Sequence, residues 1–144
     1  MNTVAQILKA KGKSVWTISE DALVIDALKI FTKHRVGSVV VMNGTSLVGI
    51  FTERDFAYKM GVHAKDPSQT KIEEVMTREV ITVDPKQSVK VCMAMMTEHH
   101  IRHLPVLEGD HLVGIISIGD VLKDMIEEVQ FMVVQLEKYI LGLR

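Results

Sequence analysis

A shift of 65 positions lays one half of this chain on the other: Thr17 meets Thr82, Val24 meets Val89, His34 meets His99 and Asp55 meets Asp120. In the same frame Leu47-Val48-Gly49-Ile50 meets Leu112-Val113-Gly114-Ile115, and no gap is needed from Thr17 to Met60. Upstream the shift becomes 68, setting VAQIL from Val4 on IEEVM from Ile72, so the first copy carries three extra residues around Lys9 to Ser14. Such a chain folds as two copies of one unit. A unit of about 55 residues is small to bury a core alone. The two copies are therefore expected to pack sheet against sheet about a pseudo-two-fold axis.

Each copy reads the same way. A short helix opens it; Thr70 and Glu73 have capping-box spacing for the second copy's start. A β-rich segment follows, VWTI or VITV. The next helix places Leu23, Val24, Ala27, Leu28, Ile30 and Phe31 at helical period in copy 1, and Val89, Cys92, Met93, Met95 and Met96 in copy 2. Two β-branched runs, SVVVM and SLVGIFT, meet at Asn43-Gly44, a strong hairpin signal. Their counterparts LPVL and HLVGIIS meet at Glu108-Gly109-Asp110, and a last helix starts near Asp55 or Asp120. The expected class is α+β. Two βαββα-type repeats, 1–61 and 72–128, flank a polar Pro-containing linker, 62–71, and precede a C-terminal helix extension, 129–144.

Composition narrows the function. Hydrophobic residues at 47% and charged residues at 24% suit a globular protein with one sizeable core. A net charge of −1 gives no basic field for nucleic acid. No apolar run is long enough for a signal peptide or a membrane span, which points to the cytoplasm. The single cysteine, Cys92, sits among apolar residues and reads as a buried thiol rather than a nucleophile.

The last strand of each copy runs into the same string, Gly49-Ile-Phe-Thr-Glu-Arg-Asp55 and Gly114-Ile-Ile-Ser-Ile-Gly-Asp120, of the form G-x-x-[ST]-x-x-D. The strand delivers a hydroxyl to a helix start with a carboxylate one turn later. A carboxylate can accept hydrogen bonds from both hydroxyls of a ribose, and a helix start offers N–H groups to a phosphate. The same spacing is also that of a helix cap, and the residues alone leave both readings open.

The duplication, the two exit motifs and the string Ile101-Arg-His-Leu-Pro-Val106 resemble CBS domains, over roughly Val4 to Glu127. The chain looks like a stand-alone CBS pair, a Bateman module. The resemblance implies two clefts between the repeats that bind AMP, ADP, ATP, NAD(H) or S-adenosylmethionine. It implies that Asp55 and Asp120 hold ribose, with Thr52 and Ser117 near ribose or phosphate. It implies that Thr17 serves the cleft of Asp120, and Thr82 the cleft of Asp55. Arg102 and His103 are implied phosphate contacts, in the Asp120 cleft of their own repeat. Gly37-Ser38 stands in their place in copy 1, so the clefts are expected to differ. Arg54 and Lys13 are further phosphate candidates, and each also reads as a solvated surface charge.

Other signals are weaker. His99, His100, Arg102 and His103 cluster, but no cysteine or acidic residues complete a zinc site, and no metal is expected. There is neither a G-x-x-x-x-G-K-[ST] nor a G-x-G-x-x-G string, so nucleotide binding here is neither P-loop nor Rossmann. No nucleophile and base pair up, so catalysis is not expected. Trp16 alternates away from Thr17 and reads as a packing residue. From Asp120 the C-terminal helix runs without Gly or Pro to about Leu141. Leu122, Met125, Val129, Met132, Leu136, Tyr139 and Leu143 form a heptad seam, which predicts a homodimer. The leading function is a non-catalytic adenine-nucleotide sensor acting on a partner protein. The alternatives are a structural adaptor with empty clefts and a small nucleotide hydrolase.

Overall fold

The computed structural model describes residues 2–142; Leu143, the last position of the seam, lies outside them. The elements run α1 (Val4–Lys11), β1 (Thr17–Ser19), α2 (Val24–His34), β2 (Ser38–Asn43) and β3 (Ser46–Thr52). Then come α3 (Glu53–Asp55), which continues as a π-turn over Phe56–Gly61, and a 3-10 turn at Ile72–Glu74. The second repeat supplies α4 (Val89–His99), β4 (His103–Glu108), β5 (His111–Ser117) and α5 (Ile118–Ile140). The class is α+β with two repeats and a long C-terminal helix. Among the described residues, no helix is long and apolar enough to cross a membrane.

The hairpins are matched to the residue. In both, a bulge follows the first two rungs from the turn: Met42 pairs with Leu47 but Val41 with Gly49, and Leu107 pairs with Leu112 but Val106 with Gly114. The turns hold Gly44-Thr45 and Gly109-Asp110, one residue later than the Asn-Gly signal suggested, because Asn43 still pairs with Ser46. Gly44 and Gly109 take φ of 60° and 63°, which glycine adopts without a Cβ penalty. The copies differ at their first strand. β1 pairs in parallel with β2, whereas VITV makes only one parallel bridge, Val83 to Val106.

The repeat boundary is not the packing boundary. Two apolar clusters form rather than one core, and each borrows its opening segment from the other copy. Val4, Ile7 and Leu8 of α1 pack with Val89, Cys92, Met96, Leu104, Val106 and Ile116. Ile72, Val75 and Met76 pack with Val24, Phe31, Val39, Val41 and Phe51. Backbone bonds reinforce the exchange: Val4 N–H donates to Gln87 O at 2.9 Å and Val24 N–H to Thr70 O at 2.9 Å. The 62–71 stretch is therefore docked rather than free, with Ile25 N–H donating to Pro67 O at 2.9 Å. The expected Thr70–Glu73 box slips by one residue, since Glu74 accepts from Lys71 N–H at 2.8 Å while the Thr70 hydroxyl donates to Asp66 O at 2.9 Å.

This exchange explains the glycine that opens each exit motif. A Cβ on Gly49 would meet Met76 Sδ at 2.5 Å and Thr77 O at 3.0 Å; one on Gly114 would meet Leu8 Cδ2 at 2.8 Å. Both positions are kept open for the crossing segment. On the sheets' other face, the cross-strand pair Val40 and Ile50 is buried although it belongs to neither cluster. Its counterparts Pro105 and Ile115 lie in the facing repeat, so this is the seam along which the clefts open.

Candidate functional site

Each exit motif is first a helix cap. Thr52 caps α3: Asp55 N–H donates to Thr52 Oγ1 at 3.2 Å, and Thr52 N–H donates back to Asp55 Oδ2 at 3.0 Å. Ser117 caps α5 in the same way, with Asp120 N–H to Ser117 Oγ at 3.2 Å and Ser117 N–H to Asp120 Oδ2 at 2.8 Å. The cap is thus real in both copies. Whether a ligand can also use the carboxylate depends on its remaining oxygen.

Asp55 has none to spare. Its Oδ1 accepts from Thr77 Oγ1 at 3.0 Å and faces Lys59 Nζ at 3.1 Å, and the residue is 7% exposed. Asp120 differs. Its Oδ2 also accepts from Lys11 Nζ at 2.6 Å, while Oδ1 has no partner among the described residues. Burial alone would raise the Asp120 carboxyl, but the Lys11 ammonium and the Ser117 donors outweigh it and hold the pKa below its ordinary value.

Two clefts flank the seam. The first, of about 420 Å³, is lined by Thr52, Arg54, Asp55 and Tyr58 from repeat 1, and by Thr77, His100, Arg102 and His103. Arg54 donates to His100 O and lies 5.9 Å from the Tyr58 ring centroid. The second, of about 390 Å³, is lined by Lys11, Ser14, Trp16, Arg35, Ser38, His103 and Ser117. Gly37 borders both. Both volumes fall in the range of small-molecule sites. Arg35 and His100 occupy equivalent positions just past α2 and α4, and both are left-handed at φ 54°. Each is the left-handed residue that ends its helix, its N–H donating to Phe31 O in the first repeat and Met96 O in the second.

The structure redistributes the expected site residues. Arg102 lies with Asp55, not with Asp120, because β4 opens toward the opposite repeat's helix start. His103 borders both clefts, and Gly37-Ser38, not Arg102, faces the Ser117 side. Thr17, Thr82, Lys13 and Asp120 line neither cleft; Thr17 and Lys13 are exposed, Thr82 is half-buried, and Asp120 sits half-buried behind Lys11 and Ser117, which do line the second. Trp16 stacks on His34 at a ring separation of 3.6 Å and keeps an exposed face at the second cleft. Lys11, Lys59, Thr77 and Arg35 went unnoticed in the sequence, and His100 was noted only as part of a histidine cluster. Only Lys11 had a signal, at the place where the repeat shift changes. His103 titrates below its ordinary value, mainly through burial, with Lys11 and Arg102 adding to the effect and Asp120 opposing it. Among the described residues no group of His, Cys, Asp or Glu could hold a metal ion.

The CBS domain model matches this chain twice, over residues 5–61 and 72–127. The chain belongs to the CBS domain family. The mitochondrial CBS domain-containing protein CBSX3 of Arabidopsis thaliana is 37% identical over 150 residues, covering 97% of this chain and 72% of the relative. A solved CBS-domain protein of Burkholderia ambifaria is 46% identical, with a TM-score of 0.85, covering 88% of this chain and 95% of its own. The CBS pair of MJ0100, solved with 5'-methylthioadenosine and S-adenosyl-L-methionine, is 28% identical with a TM-score of 0.79, covering 89% and 98%. As a CBS pair, this chain is of the regulatory, ligand-binding kind.

Proposed function

We propose that this CBS pair is a non-catalytic sensor that takes an adenine nucleotide between its repeats and reports its presence to a partner protein. The observation that carries the reading is the open Asp120 carboxylate beside a cleft of small-molecule size, with Lys11, Ser117 and His103 around it. A half-buried carboxylate with a free oxygen can accept from a ribose hydroxyl. The MJ0100 pair, solved with two adenosyl compounds, supports the ligand class. AMP, ADP, ATP and NAD(H) all share the adenosine that such a site reads. The working form is a cytoplasmic homodimer. α5 leaves Leu122, Val129, Met132, Leu136 and Tyr139 exposed after its first turns have covered the repeat through Val121. A stripe of that kind marks an interaction surface.

A second reading has its own observation. Asp55 is fully engaged by Thr52, Thr77 and Lys59, as in a purely structural helix start, which favours an adaptor role for the first cleft. The two readings separate in one experiment. The protein is incubated with an equimolar panel of AMP, ADP, ATP, NAD(H) and S-adenosylmethionine, passed through gel filtration and denatured, and the released small molecules are identified by mass spectrometry. Retention of at least one adenosyl compound is expected. Release of none, from a protein that elutes folded, overturns the sensor in favour of the adaptor.

A further inference from the structure

α5 outlasts the repeat it belongs to. Val121 is buried and Met125 packs against the second repeat's cluster, but every residue from Val129 to Ile140 is exposed. A free-standing helix of that length is marginal in water, so this end draws its stability from packing against something. Its pattern says against how much. The seam of Leu122, Met125, Val129, Met132, Leu136 and Tyr139 fills heptad positions a and d. A third row, at e, is apolar too: Ile126, Val133 and Ile140, exposed at 55%, 48% and 71%. A two-stranded coiled coil needs a and d alone, whereas apolar a, d and e together form the wider stripe of a helix facing a bundle core. One partner helix therefore leaves the e row in water.

We propose that two of the homodimers join through their α5 ends into a tetramer, held by a bundle of four copies of this helix. The a and d rows pair within each dimer, and the e row of each dimer seats against the other. This goes beyond the homodimer reading and rests on it. The occupant is a further copy of this chain because the stripe suits its own likeness. No residue from Val129 to Leu136 is charged, and the rows that border the stripe there hold Gln130 and Gln135. Identical helices can face one another without opposing like charges, and glutamine amides both donate and accept. A partner of different sequence selected by charge would find nothing to read along that stretch. Phe131 and Val134 stand on the far side of the helix, at c and f, and stay outside the bundle.

The test is sedimentation equilibrium of the full chain across the micromolar range, for the wild type, Val133→Glu in the e row and Val134→Glu one residue on, outside the stripe. Circular dichroism melts confirm that each variant folds. The wild type is expected to reach a tetramer. Val133→Glu is expected to stop at the dimer, with the dimer–tetramer dissociation constant raised at least about tenfold, since a carboxylate replaces an apolar side chain in all four helices. Val134→Glu is expected to assemble as the wild type does. Should Val133→Glu fail to fold, Ile140→Glu in the last turn carries the same prediction. A wild type that stops at the dimer overturns the bundle and leaves the dimer standing; a wild-type monomer removes both. A Val133→Glu tetramer as tight as the parent, or equal loss in Val134→Glu, overturns the role of the e row and the proposal with it.

Discussion

The two exit motifs share one spacing, one cap and one preceding glycine, yet they end in different states. At Asp55 every carboxylate lone-pair direction that matters is taken by the protein itself; at Asp120 one oxygen is left over. The difference does not lie within the motif. It comes from what the crossing segment brings. After Met76 it brings Thr77, whose hydroxyl reaches Asp55 and whose backbone bridges Ile50 on both sides, at 2.8 and 3.0 Å. At the end of α1 it brings Lys11, a charge on a long stem with a proton to spare. Duplication thus preserved the frame while the exchanged segments left Asp55 fully engaged and Asp120 with one oxygen free.

The glycines test the frame most severely. Gly49→Ala is expected to destabilise by about 1–3 kcal/mol, and Gly114→Ala by less, because Gly49 faces the Thr77 carbonyl as well as a side chain whereas Gly114 faces only Leu8. Urea melts of both variants check the order; equal costs would remove backbone crowding as the cause. The carboxylates sharpen the contrast next. Asp55→Ala leaves Thr77 and the cap unpaired at a buried site and should cost about 2 kcal/mol, against roughly 1 kcal/mol or less for the more exposed Asp120. A larger loss of stability at Asp120 would invert the account.

The last helices of the repeats also diverge. The first ends by Gly61, while α5 runs on to Ile140 with both its seam and Phe131, Val133 and Val134 exposed. Truncation after Glu128 is expected to weaken self-association at least tenfold by sedimentation, since fully burying each large apolar side chain is worth about 1.5–3 kcal/mol before association costs are subtracted. A full-length monomer at tens of micromolar would remove the dimer. The smallest effect lies between the clefts. His103 is held neutral by burial, so its folded pKa lies below its unfolded one. The stability this gives is complete above the ordinary histidine range and declines as pH falls below about 6.5 toward the folded value. Thermal melts from pH 7.5 to 5 should therefore fall more steeply for the wild type than for His103→Gln.

Much of this was readable in the chain. The two-copy frame, the hairpins, the amphipathic helices and the caps follow from local spacing, and the sequence repeat carried them. What could not be read was which copy each segment serves. Val4, Ile7 and Leu8 look like the first repeat's own helix, and nothing in their spacing says that they fill the second repeat's core. The same crossing hid Lys11, and the facing of the two repeats placed Arg102 with Asp55; partners joined by tertiary packing leave no periodic trace. The turns and the Thr70 cap missed by a single residue for a simpler reason: Asn43 and Thr70 both found other partners, in a strand pair and in the Asp66 carbonyl.

The central claim is that the Asp120 carboxylate reads an adenosine ribose. Titration calorimetry of AMP, ATP and NAD(H) against the wild type and Asp120→Ala, at one salt concentration and with ligand-free melts to confirm folding, tests it directly. Loss of a charge-assisted hydrogen bond of about 1.5–3 kcal/mol predicts a roughly tenfold to hundredfold fall in affinity for whichever nucleotide binds. Unchanged affinity of folded Asp120→Ala for every one of them would contradict it.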